Sequence, residues 1–156
     1  MTSNSTVLYG MVEPPGQPIR LAYTREHDST EALTGKILIV EDDYFVGMTM
    51  EQALVDAGHE VLAVVNTGEE AVLESTRLRP DLVLMDIRLA GQMSGIEAAL
   101  ALRAEGITSL FASAHSDVAT RSAGEKAQPA GWVTKPFSNA EIVSAVAAAL
   151  SQIRGH

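Results

Sequence analysis

Three segments of this chain run apolar and then stop on charge. Ile37-Leu38-Ile39-Val40 leads into Glu41-Asp42-Asp43, Leu82-Val83-Leu84-Met85 into Asp86, and Trp132-Val133-Thr134 into Lys135-Pro136. An aliphatic run that ends abruptly on a carboxylate or an ammonium has the pattern of a buried parallel strand delivering its last side chain to a shared rim. Acids from two rims and a lysine from a third suit a divalent cation held beside a phosphoryl group. Carboxylates gathered this way repel one another unless a cation or a proton compensates. Hard oxygen ligands with room for water fit Mg²⁺ or Mn²⁺. Lys135 would supply a point charge for a phosphate oxygen. Ser113, ending Phe111-Ala112-Ser113, would supply a hydroxyl donor. Each group also has a plainer reading. The triplet 41–43 could be a solvated helix start, with Asp43 as N-cap. Asp86 could be a turn residue, Lys135 a surface lysine and Ser113 the cap of the next helix. Four separate strand ends supplying compatible groups favour the site.

The intervening sequence provides the elements that would hold these groups. Strands are expected at 36–41, 60–65, 81–86, 107–112 and 130–134. The segments between them have helical periods. The first helix runs from about Tyr44 to Ala57, with Val46, Met50, Ala53, Leu54 and Ala57 on one face and Gly58 as its stop. Thr67/Glu70, Ser94/Glu97 and Ser138/Glu141 have the spacing of capping boxes, which mark three further helix starts. The fourth helix, after Ser116-Asp117, has few large apolar residues up to Gln128 and is expected to be short. The fifth buries Ile142, Val146, Ala149, Leu150 and Ile153. Five strand–helix units in succession predict an α/β fold: a doubly wound parallel sheet with helices on both faces. Such sheets bind ligands beyond the carboxyl ends of their strands, where these charges fall.

Composition narrows the function classes. Of 156 residues, 46% are hydrophobic but only 4% aromatic, so the core is aliphatic. A net charge of −9 argues against a basic nucleic-acid face. The absence of cysteine excludes disulfides and thiolate metal sites. No apolar run is long enough to span a bilayer, and no secretory signal pattern opens the chain. A cytoplasmic protein without membrane contact is therefore expected. Residues 1–34, around Glu13-Pro14-Pro15-Gly16-Gln17-Pro18, have no sustained period and read as a flexible, disordered extension to a domain at 35–156.

From Lys36 to about Ile153 the sequence resembles the receiver domain of two-component response regulators. The resemblance rests on Ile37-Leu38-Ile39-Val40-Glu41-Asp42-Asp43, Pro80-Asp81-Leu82-Val83-Leu84-Met85-Asp86-Ile87, Ser94-Gly95-Ile96-Glu97, Ser113-Ala114 and Lys135-Pro136-Phe137, in that order and spacing. It implies a flavodoxin-like (βα)5 fold with strand order 2-1-3-4-5. It also implies roles. Asp86 would be the phosphoacceptor. Asp42 and Asp86 would hold Mg²⁺ with the backbone carbonyl of Arg88, and Glu41 would act mainly through water. Ser113 and Lys135 would bind phosphoryl oxygens. Trp132 takes the place of a switch aromatic, usually Tyr or Phe, although a core-edge ring would fill it equally well. Arg88 and His115 occupy positions that tune phosphoryl lifetime, and His115 reads equally as a plain surface histidine. Two departures stand out: Ser113 replaces a more usual Thr, and Leu89-Ala90-Gly91-Gln92-Met93 replaces a shorter loop that often contains proline.

The implied partners are a sensor histidine kinase or a histidine phosphotransfer protein, docking near Tyr44 and Pro136-Phe137, and a downstream protein reading the fourth helix, fifth strand and fifth helix. A monomer or weak dimer is expected. Only Arg154-Gly155-His156 follow the fifth helix, so a single-domain regulator without an output domain is expected. A phosphorylation-independent binding module is the alternative. A haloacid-dehalogenase-like phosphatase fits less well, because its Asp-x-Asp would fall on Glu41 and Asp43 and lack the nucleophile.

Overall fold

The computed structural model describes residues 33–155. Residues 1–32 of the expected extension lie outside the described residues. The elements alternate as the periods predict: β1 (Lys36–Val40), α1 (Tyr44–Asp56), β2 (Glu60–Val65), α2 (Gly68–Leu78), β3 (Leu82–Met85), α3 (Gly95–Ala104), β4 (Ser109–Ser113), α4 (Val118–Glu125), β5 (Trp132–Thr134) and α5 (Asn139–Arg154). All strand pairings are parallel, and the order is β2-β1-β3-β4-β5. The strand order reverses beside β1, which opens a crevice over the carboxyl ends of β1 and β3.

The alternation of side chains along the strands divides the core into two layers. Ile37, Ile39, Leu82, Leu84 and Leu110 face α1 and α5, where they meet Met50, Leu54, Ile142, Val146 and Leu150. Leu38, Val40, Val83, Met85 and Phe111 face the other way, toward Ala71 of α2 and Ala98, Ala99 and Leu102 of α3. Burying such a side chain contributes about 2 kcal/mol. Strands β1, β3 and β4 are buried on both faces apart from Lys36, whereas β2 is a partly exposed edge strand. Among the described residues, no helix is long and apolar enough to cross a membrane.

Several local expectations need correction. Two complete capping boxes form, at Ser94/Glu97 and Ser138/Glu141. At Thr67 only half of one forms. Its hydroxyl accepts from the Glu70 N–H, but the Glu70 carboxylate accepts from Asn66 N instead of the N-cap backbone. Strand β4 starts at Ser109, not 107, because the Ile107 N–H donates to Leu102 O and so belongs to the end of α3. Helix α4 is short, as expected, ending at Glu125, but its N-cap is Asp117, not Ser113. Ile153 is only partly buried.

The amino-terminal edge of the sheet is tied by a buried histidine. His59 Nδ1 accepts from the Gly35 N–H at 3.1 Å. Close by, Lys36 N–H donates to Asp81 Oδ2, and Arg154 donates to Thr34 O. Burial, and then the Arg154 charge, push the His59 imidazole below its ordinary value. Between the folded and unfolded values the unfolded chain binds more protons, so stability is greatest above the unfolded value and falls as pH drops toward the folded one. The urea midpoint should therefore decline from about pH 7 to about pH 5 more steeply in the wild type than in His59→Gln, which keeps an acceptor but does not titrate. Parallel declines in the two proteins would remove His59 as the cause.

Candidate phosphoryl and metal site

The site forms where two strands run past their last paired apolar residues. Ile39 pairs with Leu84 and Val40 with Met85, so the next residue on each strand, Glu41 and Asp86, lies in the same row. The ladder continues through them: Asp86 N–H donates to Val40 O, and Glu41 N–H donates to Val65 O. Both carboxylates are therefore fixed by the backbone, and both are nearly out of water, at 3% and 7% exposure. Asp42 is exposed beside them. Carboxylate oxygens of Glu41, Asp42 and Asp86 lie within 4.8 Å of one another.

Lys135 joins the pair from the end of β5. Its Nζ donates to Glu41 Oε2 at 2.5 Å and to Asp86 Oδ2 at 2.9 Å. The other oxygens have backbone partners, Asp43 N–H on Glu41 Oε1 and Ile87 N–H on Asp86 Oδ1. Burial pushes the Glu41 carboxyl up. The Lys135 hydrogen bond opposes this only in part, and the Asp86 charge adds to it. For Lys135, burial works to lower the ammonium, but the hydrogen bonds to Glu41 and Asp86 outweigh it and hold the group above its ordinary value. Three carboxylates against one ammonium leave two negative charges unbalanced when all are ionised. This hard, oxygen-only donor set fits a divalent cation such as Mg²⁺.

The other predicted residues are dispersed around this centre. Ser113 ends β4, two residues past the Met85–Phe111 pair. Its buried Oγ accepts from the His115 N–H at 3.2 Å. Arg88 lies exposed in the loop after Asp86. Asp43 is the N-cap of α1, accepting from Phe45 and Val46 N–H. Trp132 is packed in place: its ring lies 4.6 Å from Phe111, its Nε1–H donates to Glu125 Oε1 at 2.7 Å, and the Arg121 guanidinium sits 4.8 Å above it. A Cβ on Gly124 would collide with the indole, so any larger residue there would force Trp132 or α4 to shift. The sequence reading missed Arg121, Gly124 and Glu125. A glycine within a helical stretch was the available signal for a close approach.

An apolar cavity of about 450 Å³ opens beside Lys135, lined by Phe45, Val46, Thr49 and Met50 of α1 and by Ala114, Pro136 and Phe137. Of its lining residues Phe45 is 77% exposed, and the Tyr44 ring, edge-on to Phe45 at 5.6 Å, is 72% exposed.

A doubly wound 2-1-3-4-5 sheet brings three acids and a lysine together at the carboxyl ends of its strands, an arrangement that suits a cation held beside a phosphoryl group. Comparison with known proteins makes the assignment specific. The profile of the response regulator receiver domain matches residues 37–147, and the chain belongs to that family. It is 29% identical over 130 residues to the transcriptional regulatory protein PdtaR of Mycobacterium tuberculosis, covering 81% of this chain and 62% of that protein. It is 34% identical over 117 residues to the phyllosphere-induced regulator PhyR of Methylorubrum extorquens, covering 74% of this chain and 43% of that one. The chain thus spans about half the length of the curated relatives it matches. Among solved structures, it superposes on the signal receiver domain of a modulated diguanylate cyclase from Desulfovibrio desulfuricans with a TM-score of 0.73 and 32% identity, over 78% of this chain and 97% of that one.

Proposed function

We propose that this receiver domain accepts a phosphoryl group on Asp86 from a phosphohistidine of a partner kinase or phosphotransfer protein. The observation that carries this reading is the convergence of the Glu41, Asp42 and Asp86 carboxylates within 4.8 Å, with Lys135 bridging two of them. An Asp86 oxygen attacks phosphorus in line, the O–P bond forms as the P–N bond breaks, and the imidazole leaves with its electron pair and takes up a proton. Mg²⁺, when bound, supplies the positive charge that lets two anions approach. Asp42 and Asp86 would hold it together with the Arg88 carbonyl, and Glu41 would act through water. Lys135 exchanges its carboxylate partners for a phosphoryl oxygen. Ser113 accepts from His115 N–H, which leaves its own proton for a second phosphoryl oxygen.

Phosphorylated Asp86 carries added charge and new acceptors. Ser113 and Lys135 follow them, and the junction of β4, α4 and β5 changes packing, with Trp132 as the switch side chain whose burial reports the change. The exposed Tyr44 and Phe45 rings and the neighbouring apolar cavity suit docking of the phosphodonor protein. A downstream protein reads the face of α4, β5 and α5. The domain at 35–156 works as a monomer or weak dimer in the cytoplasm. The phosphorylation-independent alternative keeps the docking surfaces and dispenses with the chemistry.

Incubation with Mg²⁺ and acetyl phosphate separates the two. Intact-mass measurement should show the wild type gaining one phosphoryl group and Asp86→Asn gaining none, with no gain in either when EDTA replaces Mg²⁺. A wild type that stays unmodified supports the binding module.

A further inference from the structure

The loop from Asp86 to α3 lacks the proline that would stiffen it, yet it is held firmly from outside. Ala90 forms a parallel bridge with Thr67, at the N-cap of α2. Two residues on, Glu69 reaches off its own helix: its Oε1 accepts from Gln92 N–H at 3.1 Å and from Met93 N–H at 2.9 Å. The loop turns toward this carboxylate at Gly91, with φ +87°, where a Cβ would lie 2.8 Å from Glu69 Oε2. Gly68 permits the approach, since a Cβ there would lie 2.8 Å from Met93 O. At the far end Gly95 N–H donates to Ile87 O. The segment carrying Asp86 and Arg88 is thus closed between two anchored points.

A carboxylate in the first turn of a helix ordinarily serves only its own helix end. Glu69 does something further, since two of its backbone partners lie 23 and 24 residues away. Backbone N–H groups, its own first and then those of Met93 and Gln92, hold its carboxyl below the usual carboxylate range. The group is exposed, so global stability depends little on it, and its effect falls on the shape of the loop. We propose that Glu69 is a positioning residue of the phosphoryl site. By clamping Gln92 and Met93, it fixes the loop that presents the Arg88 carbonyl and so sets the affinity for Mg²⁺. This rests on the proposed reading of Asp42, Asp86 and the Arg88 carbonyl as the metal and phosphoryl site.

The test uses Glu69→Ala and Glu69→Gln, because a glutamine carbonyl can accept the same two bonds without charge. Hydrogen–deuterium exchange of the 87–94 amides reads the clamp, and calorimetric titration with MgCl₂ reads the site. Glu69→Ala should exchange faster across 87–94, bind Mg²⁺ about tenfold more weakly and need correspondingly more Mg²⁺ for acetyl phosphate labelling, with its urea midpoint unmoved. Glu69→Gln should stay within about twofold of wild type. Faster exchange with unchanged Mg²⁺ affinity makes Glu69 merely structural and overturns the proposal, as does a Gln variant that behaves like Ala. A wild type that neither binds Mg²⁺ nor takes up phosphoryl instead overturns the site reading, and this is seen before any substitution is made.

Discussion

Lys135→Ala should be the most damaging single truncation at the rim. It leaves Glu41 and Asp86 facing each other without the ammonium that now bonds to both, 2.5 and 2.9 Å away. Their side chains are only 1% and 9% exposed, so water compensates poorly. Breaking a buried ion pair by removing one partner costs about 3 kcal/mol, mostly from stranded charge. A loss of that size is expected in chemical denaturation without Mg²⁺. Added Mg²⁺ should restore more stability to the variant than to the wild type, since the cation takes over the neutralising role and binding to the folded state stabilises it. Labelling by acetyl phosphate should nevertheless stay depressed by about 100-fold at saturating Mg²⁺, because a charge-stabilising donor for the transferring group is gone. A variant as stable as wild type in EDTA would contradict the geometry of the pair. Labelling at the wild-type rate would remove Lys135 from the chemistry.

The second large effect is steric. Gly95→Ala would place a Cβ 1.8 Å from the Asp86 carbonyl oxygen and 2.8 Å from both Asp86 C and Ile87 Cα. All three are backbone atoms at the end of β3, so no side chain can rotate away. The start of α3 must lift off the strand, breaking the Gly95–Ile87 hydrogen bond and shifting the ladder that carries Asp86. A loss above about 4 kcal/mol is expected in urea denaturation. Gly106→Ala is the control. That glycine has φ +78° but nothing within 4 Å of an added Cβ, so only backbone strain of about 1 kcal/mol applies. Similar losses at the two positions would mean that crowding at Gly95 is not what the glycine relieves.

These two positions also mark how far the sequence could be read. Gly95 lies in Ser94-Gly95-Ile96-Glu97, whose capping spacing is local and visible in the string. The strand ends were legible for a similar reason: an aliphatic run buried on both faces admits no charge, so a charge marks its end. The strand order came from the family resemblance. The partners of each charge had no local signature. Lys135 and Glu41 are 94 residues apart, Glu69 and Met93 24 apart, and His59 and Gly35 24 apart. Such pairs follow from how the crossovers pack, which periodicity does not encode. Trp132 shows the same limit. Its apolar neighbours marked a strand, but the Arg121, Gly124 and Glu125 contacts that hold it come from a helix whose weak pattern predicted little beyond its shortness. Thr67 shows the opposite error, a correct local motif only half used, because the Glu70 carboxylate found Asn66 instead.

One carboxylate in this acidic row should receive the phosphoryl group. Its position can be read directly. Protein labelled by acetyl phosphate with Mg²⁺ is reduced with borohydride, which converts an aspartyl phosphate to homoserine, and is then sequenced by tandem mass spectrometry. The conversion is predicted at Asp86 and at no other acid. Conversion at Asp42 or Asp43 with Asp86 intact, or no conversion in protein shown to bind Mg²⁺, would contradict it.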